Sequence, residues 1–379
     1  MNSEKTTPSG SKSPIPIVAA VAVLIACSLG LPFATNEYVA IGLIALCSVF
    51  LLFVAQRKIA TGALIFLLIG LSPTEYGFTV SAVVLSIIVG TALMARMLEK
   101  YRSPFLWIIP IASFGAAMLI NRSVTFSLLA LSFVLPALAL YLSFSKGESR
   151  VASICLTSAG IFVFFTVFVG ALLYYHTGTV DIAHVAQILD ATREALGNVL
   201  AEFQLELYDG SVETLFSELE AQNLASAVVS LFPAFIIVAC NAIAFFAQRI
   251  LFVLVHRAGE TDKLTNKMLA LIMSPYAGAL FILSFFISTL AAMSSDNALV
   301  YTVCQNLFFI FIPGLAASGI MLKLARIAQQ RRGAWVVIAF MLMLFVNVGA
   351  AVLLAAGLGA YYSIADPLSA FFRSKTDQS

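Results

Sequence analysis

The sequence predicts an all-α fold, a polytopic transmembrane helix bundle of about 11 spans with an amphipathic helical extracytoplasmic loop. Three observations predict it. Hydrophobic residues make up 61% of the 379-residue chain and charged residues 11%, too few polar groups to coat a water-soluble surface, where about a quarter of residues are charged. The apolar runs are unbroken over roughly 17–25 residues, the length of a helix that crosses hydrocarbon. These runs lack the polar–apolar alternation of barrel strands. In lipid the remaining way to pair every backbone group internally is a helix.

Taken in order, Met1 to Ser13 is rich in Ser, Thr, Pro and Lys and reads as a disordered cytoplasmic tail, 1–13. The first apolar run, 15–33, is longer than a usual signal-peptide core, and further runs follow it directly. It therefore reads as a retained span. Spans at 38–55, 59–72, 78–97, 104–120, 124–144 and 151–175 complete an N-terminal bundle, 14–175, of about seven spans. The apolar core of the third, Ile59 to Leu71, is short, and a re-entrant segment is its alternative reading. An aqueous segment, 176–223, follows. Spans at 225–255, 274–294, 298–323 and 334–360 form a C-terminal bundle, 224–362, of about four spans, and 363–379 reads as a tail.

Lys and Arg set the orientation, because basic residues stay on the cytoplasmic side. The tail and every second loop hold 17 of the 21 basic residues, among them Arg57, Arg96, Arg150, Arg249 and Arg331. The opposite side holds Arg122, Arg193, Arg373 and Lys375. The split predicts a cytoplasmic N-terminus, an extracytoplasmic C-terminus and an odd number of spans. It also favours a full crossing by 59–72, since a re-entrant turn would invert everything after it.

The 176–223 segment falls on the outer side, with nine acidic residues against Arg193 alone. Ile182, Val185, Leu189, Leu196, Val199, Phe203 and Leu207 recur at helical spacing. Asp209-Gly210-Ser211 is a turn signal, and Val212, Leu215, Phe216 and Leu219 begin a second stripe. Two amphipathic helices across the outer face are expected, either as a solvated cap or as a lid over a cation-attracting vestibule. His176 and His184 flank Asp181, but their spacing matches no standard metal motif.

The net charge of +2 points to no nucleic-acid partner. Cys27, Cys47, Cys155, Cys240 and Cys304 lie inside apolar runs with no C-x-x-C spacing. They read as small buried hydrophobes rather than a disulfide framework or zinc site. No phosphate-binding loop or H-E-x-x-H helix is present. No Asp, Glu, Lys or Arg sits near the middle of any span, whereas Glu37, Glu75 and Asp296 lie at outer ends. Intramembrane ionisable groups usually mark proton or ion pathways, so a self-contained proton-coupled carrier is not expected. No catalytic residue, metal or cofactor is expected either.

The candidate cavity-lining residues are the amides Asn241, Gln305, Asn306 and Asn347. Such groups serve most often in hydrogen bonds between helices. Pro110, Pro136, Pro233 and Pro313 interrupt spans. Pro233, Pro313 and Gly314 are the candidate broken-helix positions, since freed backbone groups can frame a binding site. Ala351, Ala355 and Gly359, four residues apart, suggest close helix packing or contact with a partner in the membrane.

From about Leu224 to Lys375 these features fall in a characteristic order. An acidic amphipathic segment leads into Leu231-Phe232-Pro233-Ala234 and a long span that ends in a basic stretch, Arg249 to Lys267. Met273-Ser274-Pro275 opens the next span. A Gln-Asn span with Pro313-Gly314-Leu315 follows, and the last span closes at Gly357-Leu358-Gly359 before Asp366 and Phe372-Arg373. The series resembles the YybS-like predicted membrane proteins, a bacterial family defined by a domain of unknown function. That family is distantly similar to substrate-binding components of energy-coupling-factor transporters and to the rod-shape protein MreD. The resemblance implies a bacterial inner-membrane location, a helix bundle with a pocket at its outer side, and a partner that drives transport. About eleven spans and a large outer loop depart from the six-helix pattern of those relatives.

Three functions follow as expectations. The first is a substrate-binding or transport-associated component that lacks its own energy source and pairs with an energising ATPase module, its small-molecule ligand unnamed. The second is a scaffold for envelope or cell-shape machinery, with envelope proteins as partners. The third is a membrane glycosyltransferase or polysaccharide ligase. The acidic outer loop opposes this last reading, because lipid-linked pyrophosphates call for basic residues. In every case the lipid bilayer is the surrounding solvent.

Overall fold

The computed structural model describes residues 80–101, 124–179, 186–195, 225–293, 298–329 and 347–376, with isolated positions within 110–118 and at 181, 197 and 198; the stretch 186–195 is helical. The expected spans at 15–33, 38–55 and 59–72, most of 104–120, most of the acidic loop and the start of the last span lie outside the described residues. Every regular element among the described residues is helical. The long ones are α1 (Val80–Tyr101), α2 (Val134–Ser145), α3 (Arg150–Thr177), α4 (Phe232–Arg257), α5 (Pro275–Ala292), α6 (Ala298–Gln329) and α7 (Val348–Thr376). Five stretches within α3 to α7 are long and apolar enough to cross a membrane: Arg150–Tyr175, Phe232–Arg257, Pro275–Ala292, Ala298–Leu322 and Val348–Pro367. Their outward faces carry exposed Phe162, Val167, Phe235, Leu283, Phe286 and Leu354. Large apolar side chains facing outward on successive helices are what a membrane-embedded chain requires.

Local chemistry sets the helix ends. The Ser149 side chain caps α3 by accepting from the Ala152 N–H at 3.3 Å. Gly178 ends the same helix in the left-handed region, at φ 72°, with its N–H donating to Tyr174 O, a conformation glycine adopts without a Cβ penalty. Ser274 caps α5 by accepting from Ala277 N at 3.3 Å, and Pro275 fills the first helical position, where a missing N–H costs nothing.

Three expected spans differ in detail. The run 124–144 is not one helix. A short turn, Val124–Ser127, passes into a 3-10 stretch, Leu128–Leu131, before α2 begins. Pro136 sits in the first turn of α2, where proline is tolerated and fixes a helix start. The run 225–255 is interrupted at Leu231. The final run breaks before Val348. The last helix then continues past 362 to Thr376, carrying Pro367 inside it, so the residues expected as a tail are helical.

The chain divides into two compact units. The first comprises Met1–Ser145, Val163–Leu172 and Ile243–Thr261. Within it α1 packs on α2, and Phe144 at the end of α2 meets Phe252 of α4, ring centroids 6.4 Å apart. The second comprises Lys146–Phe162, Leu173–Ala242 and Asp262–Ser379, and its core is the mutual packing of α5, α6 and α7. Phe281, Ile312, Leu315, Ala355, Ala356 and Ala360 are its buried centre. Phe281 stacks on Phe308 at 4.7 Å.

Small residues let these three helices approach. A Cβ added at Gly319 would land on Ala355 O and Gly359 N, and one added at Gly359 would land on Leu315 O. Gly278 of α5 lies equally close to Ala360 and Ser363 of α7. Leu315 opposite Gly359, and Gly319 opposite Ala355, make α6 and α7 antiparallel. Ala351, Ala355 and Gly359 thus form one buried seam within the chain, the small-residue packing that holds helices together where lipid supplies no hydrophobic drive.

Candidate functional site

All seven candidate residues belong to the second unit. The chemistry begins with Pro233. A proline has no N–H and crowds the carbonyl four residues before it, so the helical path from 225 cannot run through it undisturbed. The path breaks at Leu231 and resumes at Phe232. The N–H groups of a new first turn have no partner within their own helix.

Asn306, on α6, fills the break. Its Oδ1 accepts from Ala234 N at 3.0 Å, and its Nδ2 donates to Ser230 O at 2.8 Å. Ser230 and Ala234 stand four apart, the spacing at which the two groups would pair directly in an unbroken helix. The carboxamide is thus inserted into the ladder like an extra peptide group. The second hydrogen of Nδ2 goes to Thr302 O at 2.9 Å. Both donors are therefore engaged, and a carboxamide has no others. The structure brings Pro233 and Asn306 together.

The remaining candidates are placed differently. Gln305 donates from Nε2 to the Tyr301 hydroxyl of its own helix. Asn241 is half-buried on α4, about two turns beyond Ala234. Asn347 is exposed and caps α7, its Oδ1 accepting from Ala350 N at 2.9 Å. The antiparallel register of α6 and α7 puts Asn347 and Asn306 at opposite ends of that pair. Pro313 does not break α6, which runs through it as one helix with the proline exposed. Gly314 faces Met273, whose Cε and Sδ would lie 3.1 and 3.2 Å from an added Cβ. These residues do not converge on one place.

Other buried polar groups were not anticipated. In the first unit Arg96 of α1 is 7% exposed. It pairs with Glu99 one turn on and, through Nη2, with Glu260 Oε1 at 2.9 Å. This joins the end of α1 to the segment just after α4. Removing one member of such a buried group would leave a charge uncompensated, at a cost of several kcal/mol. Gln248 of α4 is 1% exposed. In the second unit Arg150 is 3% exposed and donates from Nη1 to Leu269 O at 3.1 Å, tying the start of α3 to the segment before α5. The signal existed in the sequence: Arg96 and Gln248 both fall inside expected spans. A search confined to span centres passes over residues one or two turns from an end.

Cys240 and Cys304 are buried as expected, whereas Cys155 is exposed on α3; all three are free thiols. Among the described residues no group of three or more His, Cys, Asp or Glu side chains is gathered as metal ligands would be. No protein-family model matches the chain, and neither a curated protein nor a solved structure matches it.

Proposed function

We propose that the chain is a bacterial inner-membrane protein of about 11 spans, with its N-terminus cytoplasmic and its C-terminus outside, that works through protein partners as a scaffold for envelope or cell-shape machinery. The observation that carries this reading is the engagement of Asn306. The amide best placed between helices gives both donors to backbone carbonyls, which is how a scaffold uses buried amides. The Arg96–Glu260 pair supports the topology, since it joins the end of α1 to the segment after α4, two stretches that the basic-residue count assigns to the same side. The small-residue seam of α5, α6 and α7 suits a rigid frame.

The second reading is a substrate-binding or transport-associated component served by an ATPase module. The helix break at Leu231 and Pro233 favours it, because interrupted helices frame binding sites in many transporters. The YybS-like resemblance accommodates both readings. A glycosyltransferase or ligase remains the least supported, given nine acidic residues in the outer loop.

Native mass spectrometry of the gently solubilised protein from its own host separates the two. Co-purifying envelope proteins without a ligand mass would uphold the scaffold. A retained small molecule or an ATPase module would overturn it in favour of transport.

A further inference from the structure

Arg249 lies inside α4 rather than in the loop after it. It is exposed, and so are Phe246 and Val253, at 53% and 45%. These three share one helix face, being three and four residues apart. His256, also exposed, continues that face, with exposed Arg257 beside it. All five belong to the Ile243–Thr261 part of the first unit. The opposite face is packed, with Ala247, Gln248, Leu251, Phe252 and Val255 buried. The outward stripe of α4 therefore reads apolar at Phe246, cationic at Arg249 and apolar at Val253, with a second fixed cation, Arg257, just beyond. Among the described residues no ion pair involves Arg249.

Depth gives the stripe its meaning. Arg249 lies about 26 Å along the axis from Phe232, against a hydrocarbon thickness of about 30 Å. Its long stem lets the guanidinium reach the level where acyl chains meet phosphates. A cation at that level is costly unless an anion pairs with it. A lipid phosphate offers that anion, and the planar guanidinium binds phosphate through two parallel hydrogen bonds. Phe246 and Val253 offer apolar surface to the chains on either side. Arg257, about 12 Å further on, extends the positive field towards water.

We propose that this outward face of α4 is a binding site for an anionic phospholipid headgroup, with Arg249 pairing the phosphate. The inference rests on the membrane reading above. The test is native mass spectrometry of the full chain with added phosphatidylglycerol or phosphatidylcholine, comparing wild type, Arg249→Gln and, as a control at an exposed loop position, Lys146→Gln.

Both lipids carry the phosphate, but choline adds a cation that Arg249 repels, so wild type and Lys146→Gln should retain phosphatidylglycerol over phosphatidylcholine by roughly tenfold, and Arg249→Gln should lose that preference. Retention by Arg249→Gln, or equal loss in Lys146→Gln, would overturn the site. So would full displacement of the lipid by inorganic phosphate, which would make it a soluble-anion site. If Arg249→Gln does not fold, a photoactivatable phosphatidylglycerol added to wild type decides: labelling of the 246–257 peptide upholds the proposal, and labelling only elsewhere ends it. Release of the chain from membranes by alkaline carbonate would instead sink the membrane reading itself, a distinct result.

Discussion

At the scale of single residues, one carboxamide decides how α4 begins. Asn306 serves a donor and an acceptor that Pro233 has separated, and in an apolar setting each orphaned group costs about 1–3 kcal/mol. Asn306→Leu keeps the volume and removes the bonds. It should lower the unfolding free energy of the full chain in detergent by roughly 1–3 kcal/mol. Gln305→Leu, whose amide meets Tyr301 of the same helix, should change it by no more than about 0.5 kcal/mol. Equal losses in a thermal or denaturant titration would show that Asn306 does not hold the break. That Asn306 matters was legible from its place in a span; its task was not, because its partners lie more than seventy residues earlier. Asn347 was hidden for another reason. Apolar residues flank it on both sides, so hydropathy draws one span across a position that is in fact a helix cap.

At the scale of elements, the long helices were readable because their signals are local. Ser149, Gly178 and Ser274-Pro275 mark the ends of α3 and α5 in the sequence itself. The polar end of α7 was not readable by hydropathy, and neither was the 3-10 stretch before α2, where apolar residues run on while the geometry changes. Packing partners are likewise invisible in one strand of text. Gly357 and Gly359 look alike in sequence, yet a Cβ at Gly357 meets nothing within 4 Å, whereas one at Gly359 strikes the α6 backbone. Gly357→Ala should therefore be neutral or stabilising, by up to about 1 kcal/mol. Gly359→Ala should destabilise by roughly 1–3 kcal/mol, as overpacking does. Matching unfolding curves for the two variants would contradict the α6–α7 register.

At the scale of the whole molecule, the basic-residue count is the guide to which loops share a side. The Arg96–Glu260 pair in one unit and the Arg150–Leu269 contact in the other each join segments that the basic-residue count assigns to the cytoplasm. A topology of about 11 spans makes a direct prediction. In a cysteine-free background, a cysteine replacing Ser211 should react with an impermeant thiol reagent on intact cells, and one replacing Ser149 should not. Equal labelling would refute the span count. The class of the molecule was thus legible from composition and run length, which are properties of the chain as a whole. Its site was much less so, since the candidate amides spread over two helices and a cap.

The stapled break also has a consequence for synthesis. The groups at Ser230 and Ala234 leave the ribosome before the residue that satisfies them, which lies 72 positions after Ala234. At roughly 5–20 residues per second, that interval is several seconds. During it the start of α4 must rely on water or on the insertion machinery for its missing partners. Arrested chains ending at Ala292 and at Thr376 would display the difference as faster deuterium uptake across residues 225–240 in the shorter one. Equal uptake would mean that the nascent helix closes its own gap before α6 arrives.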